Sequence, residues 1–438
     1  MTLSKKPYRG TRDFFPIDKR KRDYLFSAMT NTAELFGYES YDGPLLEEVD
    51  LYRAKSGEEL INEQIYSFTD RGEREVAIRP EMTPTLARMV AQIHKVETKP
   101  IRWYAIPNLM RYEKPQRGRL REHWQFNVDI FGAPEHAGEI EILQVAVTLM
   151  KRLGANEKHF EILLNDRRVV DALFKQAMGA NDEQALKLYK IVDAAKKIGT
   201  EGVAKKVAEL SLPSNALEIF NKYLALTNFE GLSQLLKEYK QDDASSSLLQ
   251  FTQKLDQMGL SNFVKFDPAV VRGLDYYTGV VFEIFDKHPD NRRALCGGGA
   301  YANLLKIFNE EPVAGIGFGL GDVTMTDFLE THGLMPNFEV ASNDLLIAPL
   351  DEESMTKSQL LAQELRERGA KVVCALEPIK LKKAFPMAEK KGAKFVAFIG
   401  NNEIQNQTLP IKNLKEKNQQ EFKMNDIETI AKHLLSEG

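Results

Sequence analysis

Residues 107–132 read PNLMRYEKPQRGRLREHWQFNVDIFG, and a β-hairpin is written into them. An apolar-rich run over 101–112 leads in, Pro115 and Gly118 stand in a polar turn, and a second run leads out. The second run alternates. Arg121, His123, Gln125, Asn127 and Asp129 fall on one face; Trp124, Phe126, Val128 and Ile130 fall on the other. Successive strand side chains point to opposite faces, so this is a strand with one greasy face and one polar face. The polar face offers cations, amides and a carboxylate in a row, with Arg111, Arg117 and Arg119 close in sequence. Guanidinium forks cluster in this way where planar anions such as phosphate are gripped. On the hairpin alone, a solvated outer face explains the same residues equally well.

The chain around it has 438 residues, enough for two or three domains, and 43% hydrophobic residues to fill their cores. A net charge of −4 with 28% charged residues excludes a basic scaffold, so any nucleic-acid contact must come from local patches. The two cysteines, Cys296 and Cys374, are too few for a disulfide framework or a cysteine-rich zinc site, and suit a reducing cytoplasm. The opening MTLSKKPYRG has no apolar core behind its charges, so no secretory signal is expected. No stretch reaches the roughly 18 to 20 apolar residues that cross a bilayer, and no membrane partner is expected.

Upstream of the hairpin, residues 17–36 have helical spacing and stop at Gly37, and residues 38–49 read as a strand interrupted at Gly43-Pro44. Residues 66–79 read as a second hairpin. RPEMTP at 79–84 then opens a helix to about His94, with Thr83 suited to the N-cap and Pro84 to the first helical position. Downstream, 137–153 is helical and 160–164 a short strand. Residues 167–258 turn to Leu, Ala, Lys and Glu at helical spacing, which predicts a helical insert between two sheet segments. Sheet character resumes at Phe263. The alternating glycines of VAGIGFGLGDV, 313–323, follow no apolar strand, so they predict a strand approached closely by another group and not a dinucleotide loop. Residues 331–342 read as a linker. Beyond them strand and helix alternate through 343–438, the grammar of a small α/β domain.

Four strings then belong together: GTRDFFP at 10–16, RPEMT at 79–83, RYEKPQRGR at 111–119 and RGLDYYTG at 272–279. Together they resemble the histidyl-tRNA synthetase family, over nearly the whole chain. The resemblance implies a class II synthetase architecture: an α+β catalytic domain over 1–330, its antiparallel sheet flanked by helices, with the helical insertion at 167–258. A C-terminal α/β anticodon-binding domain would follow at 343–438. It implies a homodimer with Pro44 at the interface. The substrates would be L-histidine, ATP with Mg²⁺, and tRNA(His), the insert touching the acceptor arm.

The resemblance also implies roles. Arg111 and Arg272 would be the catalytic cations at the ATP α-phosphate, Arg272 also reaching the substrate carboxylate. Glu113 would lie near the adenine amino group, and Arg119 in the ATP-binding loop. Glu81 and Thr83 would take the histidine α-amino group, with Gln125 and Asp129 facing the same pocket. Tyr276 and Tyr277 would line the imidazole pocket. Elementary chemistry agrees with such a site. A carboxylate attacking a phosphorus ringed by negative oxygens needs charge neutralised and the attack held in line, which is positioning and electrostatics. Mg²⁺ in such chemistry keeps several waters and needs few protein ligands, so no metal motif is expected. An imidazole needs a donor, an acceptor and walls, which Asp129 and tyrosines supply.

Three positions depart from the family pattern. Asp129 stands where Glu is usual, and GGGAYAN at 297–303 lacks the usual Arg and Asp beside its tyrosine. Thr324 stands where an arginine usually clamps the γ-phosphate, which leaves that contact unassigned. The missing arginine is the one feature that favours a rival, a non-catalytic histidine-binding regulatory paralogue of the kind that supports ATP phosphoribosyltransferase. Against it stand Arg111, the intact RGLDYYTG string and the C-terminal domain. Lys380, Lys382, Lys383, Lys390, Lys391, Lys394, Lys412, Lys415 and Lys417 read as solvated faces on their own; given the resemblance, some of them are expected at tRNA phosphates.

Overall fold

The computed structural model describes residues 3–54, 60–271, 277–338 and 342–436. It divides into two units, one of residues 1–14 and 21–335, the other of 15–20 and 336–438. Among the described residues of the first unit, the strands in chain order are β1 (Glu39–Ser40), β2 (Leu46–Glu48), β3 (Tyr66–Thr69), β4 (Glu75–Ile78), β5 (Ile101–Ala105), β6 (Asn108–Met110), β7 (Glu122–Phe131), β8 (Phe160–Asp166), β9 (Val264–Phe266), β10 (Val280–Asp286), β11 (Ala294–Tyr301) and β12 (Gly315–Gly321). Nine of them form one sheet in the order β1-β5-β7-β12-β11-β10-β8-β9, with β6 also paired to β7. The interior pairings are antiparallel, and only the edge pairs β1/β5 and β8/β9 are parallel. β2, β4 and β3 make a small separate sheet.

The alternation in β7 explains why this sheet has a working face. Phe126, Val128 and Ile130 are fully buried and share one core with Ile142, Val145, Ala146 and Leu149 of the helix Ala137–Arg152. Each such side chain contributes about 1.5–3 kcal/mol of burial. That helix carries Glu139 in its first turn and Lys151 and Arg152 in its last, the charge order its dipole favours. With the apolar face committed there, register forces His123, Gln125, Asn127 and Asp129 to the opposite side.

The lead-in run is two strands, not one. Pro107 offers no N–H to a ladder, so β5 ends at Ala105 and β6 restarts at Asn108, both against β7. The strand expected over 38–49 is likewise split, β1 joining the large sheet and β2 the small one. Between Arg167 and Gln257 the described residues hold helices and no strand, the longest being Asp182–Ala208 with a kink at Gly199.

The second unit has a five-stranded mixed sheet in the order β14-β13-β15-β16-β17, from β13 (Asn343–Pro349), β14 (Val372–Cys374), β15 (Ala393–Ile399), β16 (Thr408–Asn413) and β17 (Gln419–Lys423). The first three are parallel and joined through helices Glu352–Glu367 and Leu381–Lys391. Leu345, Ile347, Phe395 and Ala397 are buried with Leu361, Leu365, Ile430 and Leu434. No helix among the described residues is long and apolar enough to cross a membrane.

Candidate active site

Two cavities open on the polar face of β7. The smaller, about 160 Å³, is lined by Glu81, Thr83, Arg111, Gln125, Asn127, Asp129, Tyr277 and Tyr301, with Gly297, Gly317, Phe318 and Gly319. The larger, about 490 Å³, is lined by residues that include Arg111, Glu113, Arg119, His123, Gln125, Glu283, Arg293 and Thr324. Arg111, Gln125, Gly297 and Gly319 line both, so the chambers meet at one side of β7.

Backbone geometry places each group. Arg79 is buried; its guanidinium donates to Asn108 O at 2.9 Å, Asp42 Oδ1 at 2.8 Å and Gly43 O at 2.9 Å. Arg111 Nε donates to Pro80 O at 2.8 Å, which ties the 80–83 segment to the hairpin. Glu81 and Thr83 are thereby presented to the small chamber. Thr83 is not the cap its sequence suggests. The helix runs Thr83–Ile93 with Met82 at the N-cap, and Met82 makes no side-chain cap bond. The side chain of Thr83 is available to the cavity because the segment is held by its neighbours.

Asp129 sits on the floor of the small chamber, and it accepts a hydrogen bond from the Tyr301 hydroxyl. Burial pushes its carboxyl up to about 7, against the pull of that bond. Burial and the neighbouring Asp129 carboxylate push Tyr301 well above the ordinary phenol range. The glycines of β12 make the room. Gly317 pairs directly with Asp129, and a Cβ there would lie 2.0 Å from Asp129 Oδ1. A Cβ on Gly319 would lie 2.6 Å from Gln125 Cδ, and one on Gly299 would lie 2.6 Å from Tyr277 Cδ1. The alternating glycines therefore accommodate side chains of β7, which is what the sequence pattern could only state as close approach.

In the larger chamber Glu113 is gripped in two-pronged fashion by Arg119, whose Nη2 donates to Oε1 at 2.6 Å and whose Nε donates to Oε2. His123 is pushed down to about 3, first by burial and then by the cations Arg111 and Arg12, so it is neutral. The other arginines of the hairpin are engaged elsewhere. Arg117 donates to Thr331 Oγ1 at 3.2 Å. Arg121 donates to Tyr8 Oη at 2.7 Å and lies 4.1 Å over the Tyr112 ring. Of the four clustered arginines, Arg111 and Arg119 line the chambers. Arg272 and Tyr276 lie outside the described residues.

Sequence reasoning missed Tyr301, Asn127 and Arg293 as lining groups. Asn127 stood in the alternation itself, and Tyr301 in the GGGAYAN string, where the absent neighbours drew attention from the tyrosine. Chemically, the small chamber pairs a buried acceptor with a hydroxyl between aromatic and glycine walls, a fit for a small polar ring. The large one sets arginines around an extended space, a fit for an anion of some length.

Two family models match the chain: histidyl-tRNA synthetase over residues 10–323 and an anticodon-binding domain over 344–434. The histidine–tRNA ligase of Leptospira biflexa is 43% identical over 438 residues, 99% of each chain. The chloroplastic/mitochondrial histidine–tRNA ligase of Arabidopsis thaliana is 35% identical across 96% of this chain and 86% of its own. Among solved structures, the histidyl-tRNA synthetase of Nostoc shares the fold at a TM-score of 0.80 and 23% identity, covering 99% of this chain and all of that one. An ATP phosphoribosyltransferase regulatory subunit/histidyl-tRNA synthetase of Bacillus halodurans shares it at 0.75 and 22%, covering 92% of this chain and all of that one.

Proposed function

The chain belongs to the histidyl-tRNA synthetase family, and from that membership we propose how its residues divide the reaction. The enzyme activates L-histidine with ATP to histidyl-adenylate, releasing pyrophosphate, and passes the histidyl group to the 3′ end of tRNA(His). The single observation that carries the residue assignment is the meeting of a small and a large chamber at Arg111 and Gln125.

Histidine occupies the small chamber. Its imidazole lies against Asp129, Tyr301 and Tyr277, and its α-amino group against Glu81 and Thr83, with Gln125 beside its carboxylate. ATP occupies the large chamber, adenine toward Glu113 and Arg119. Arg111, common to both, neutralises the α-phosphate as the histidine carboxylate attacks; an anchored guanidinium does this without reorganising. Arg272 is assigned the second cation, and Tyr276 a wall of the imidazole pocket, on the resemblance of the RGLDYYTG string. Rejection of amino acids without an imidazole follows from Asp129 and Tyr301, since buried polar groups left unpaired are costly.

Mg²⁺ fits the donor set. Among the described residues no cluster of three or more His, Cys, Asp or Glu forms a metal cage, and Glu283 is a carboxylate lining the ATP chamber. One or two carboxylates suffice for an ion that rides on phosphates and keeps its waters. Its chemistry would be neutralisation of phosphate charge.

We assign residues 1–330 to catalysis, with the helices of 167–258 as an insertion toward the tRNA acceptor arm, 331–342 to a linker and 343–438 to anticodon binding. Seven of the C-terminal lysines singled out in the sequence are exposed and suit tRNA phosphates. Lys394 instead pairs with Asp344 at 3.6 Å, and Lys412 lies 4.9 Å over Phe385. A homodimer through the Pro44 segment is supported by exposed Leu45, Leu46 and Phe68 on and beside the small sheet. A reducing cytoplasm suits a chain with only the two cysteines Cys296 and Cys374. The regulatory reading is not favoured, because relatives aligned over the full length are ligases and the anticodon-type domain is present.

The test is amino-acid-dependent ATP–pyrophosphate exchange across all twenty amino acids. Exchange with histidine alone is the expected result. Histidine binding without exchange would support the regulatory reading instead.

A further inference from the structure

The site as described leaves the far end of the triphosphate without a cation. Thr324 cannot serve. Its hydroxyl bonds Gly321 O at 3.1 Å and Leu295 O at 3.3 Å, and it carries no charge. Arg119 is committed to Glu113, and Arg111 stands at the junction of the chambers. The other arginine lining the large chamber among the described residues is Arg293.

Arg293 immediately precedes β11. The β12 strand ends at Gly321 and a helix starts at Asp322, and Arg293 and Thr324 line the same cavity wall there. The hairpin loop closes over the same spot. A Cβ on Gly118 would lie 3.1 Å from Arg293 Cδ and 3.4 Å from Thr324 Cγ2. Three chain segments thus converge on one half-buried guanidinium. No carboxylate among the described residues lies within ion-pairing distance of it, whereas Arg119 is paired with Glu113 and Arg12 with Asp322. A half-buried guanidinium without a counterion, at the wall of an anion-shaped chamber, is a phosphate-binding group by its chemistry.

We propose that Arg293 binds the terminal phosphate of ATP, and the pyrophosphate that leaves, taking over from the neighbouring strand end the task that Thr324 cannot perform. This rests on the assignment of the large chamber to ATP. Gly118 is part of the device, because a side chain there would press on the guanidinium stem.

The experiment compares wild type, Arg293→Ala and Arg293→Lys by pyrophosphate exchange and by equilibrium binding. The probes are ATP, pyrophosphate and a non-hydrolysable histidyl-adenylate analogue that lacks the β- and γ-phosphates. Loss of one charge-assisted contact should raise the KM for ATP and for pyrophosphate roughly ten- to a hundred-fold in Arg293→Ala. Arg293→Lys should recover part of it, while analogue affinity and the KM for histidine stay at wild-type values. Unchanged ATP and pyrophosphate constants, or an equal fall in analogue affinity in both variants, would overturn the proposal. A wild-type enzyme without histidine-dependent exchange would instead overturn the functional reading beneath it.

Discussion

Replacing Asp129 with asparagine should remove a loss of stability that the wild type suffers toward alkaline pH, and with it the hold on histidine. Burial raises the Asp129 carboxyl from its ordinary 3.8 to about 7 in the folded chain. Between those values the folded form keeps a proton that the unfolded form has released. The group's stabilising contribution is therefore complete below about 4 and is lost as pH rises through about 7. The gap of about three pK units corresponds to roughly 4 kcal/mol, of which roughly 3 kcal/mol falls between pH 5 and pH 8.5. Asparagine does not titrate. Any fixed packing penalty it brings is the same at both pH values and drops out of the difference. Calorimetry of the full-length wild type and variant should show the variant's melting temperature, relative to wild type, rising by a few degrees from pH 5 to pH 8.5. Histidine should raise the melting temperature of the wild type and leave the variant unmoved. A melting difference that does not change with pH, or changes in the opposite sense, would refute the buried-carboxylate reasoning.

Gly317→Ala puts a methyl 2.0 Å from Asp129 Oδ1 and 2.6 Å from Val128 O, so the carboxyl must leave its place. We expect about 1–3 kcal/mol of destabilisation and a KM for histidine at least an order of magnitude higher in pyrophosphate exchange, with the KM for ATP little changed. An unchanged histidine KM would show that Asp129 does not touch the substrate. Arg272→Ala should lower the rate of adenylation far more than it weakens histidine binding, measured by single-turnover kinetics beside equilibrium dialysis; equal losses would remove Arg272 from the reacting phosphate. The double variant Leu46→Glu with Phe68→Glu should sediment as a monomer where the wild type sediments as a dimer, and an unaltered sedimentation coefficient would place the interface elsewhere.

Much of this was legible because β7 is half-buried. A strand with a committed apolar face sets its polar residues out as the complementary set, which put Gln125 and Asp129 on one side; the family resemblance, not the alternation, gave them a role. Glu81 and Thr83 were not set out in this way. Their segment is an irregular stretch running into a helix start, held by Arg79 and by the Arg111–Pro80 contact, and long-range anchoring of that sort leaves no local period. The arginine cluster misled in part, because sequence proximity in a turn says nothing of direction; Arg121 leaves the site for Tyr8 and Tyr112. In the second unit the β16/β17 hairpin escaped notice. Pro410, just beyond the residues of β16 that pair with β15, and the charges on the edge strand β17 suppress its strand signal.

One strand serves both chambers, yet its ionisable groups are driven in opposite directions along its length. At one end His123, near Arg111 and Arg12, is held neutral down to about pH 3, so the phosphate-facing charge comes from arginines that do not titrate. At the other end Asp129, away from those cations and enclosed by Tyr301 and β12, titrates near 7. Of the two shifted groups on the strand, the one brought toward neutrality is thus in the small chamber, which we assign to the amino acid. Histidine's own ring titrates in the same range. On the proposed placement of histidine, its imidazole meets the buried Asp129 carboxyl, and the two have similar proton affinity. A substrate with no such ring would leave the Asp129–Tyr301 pair to bear its desolvation alone, which is the selectivity this placement predicts.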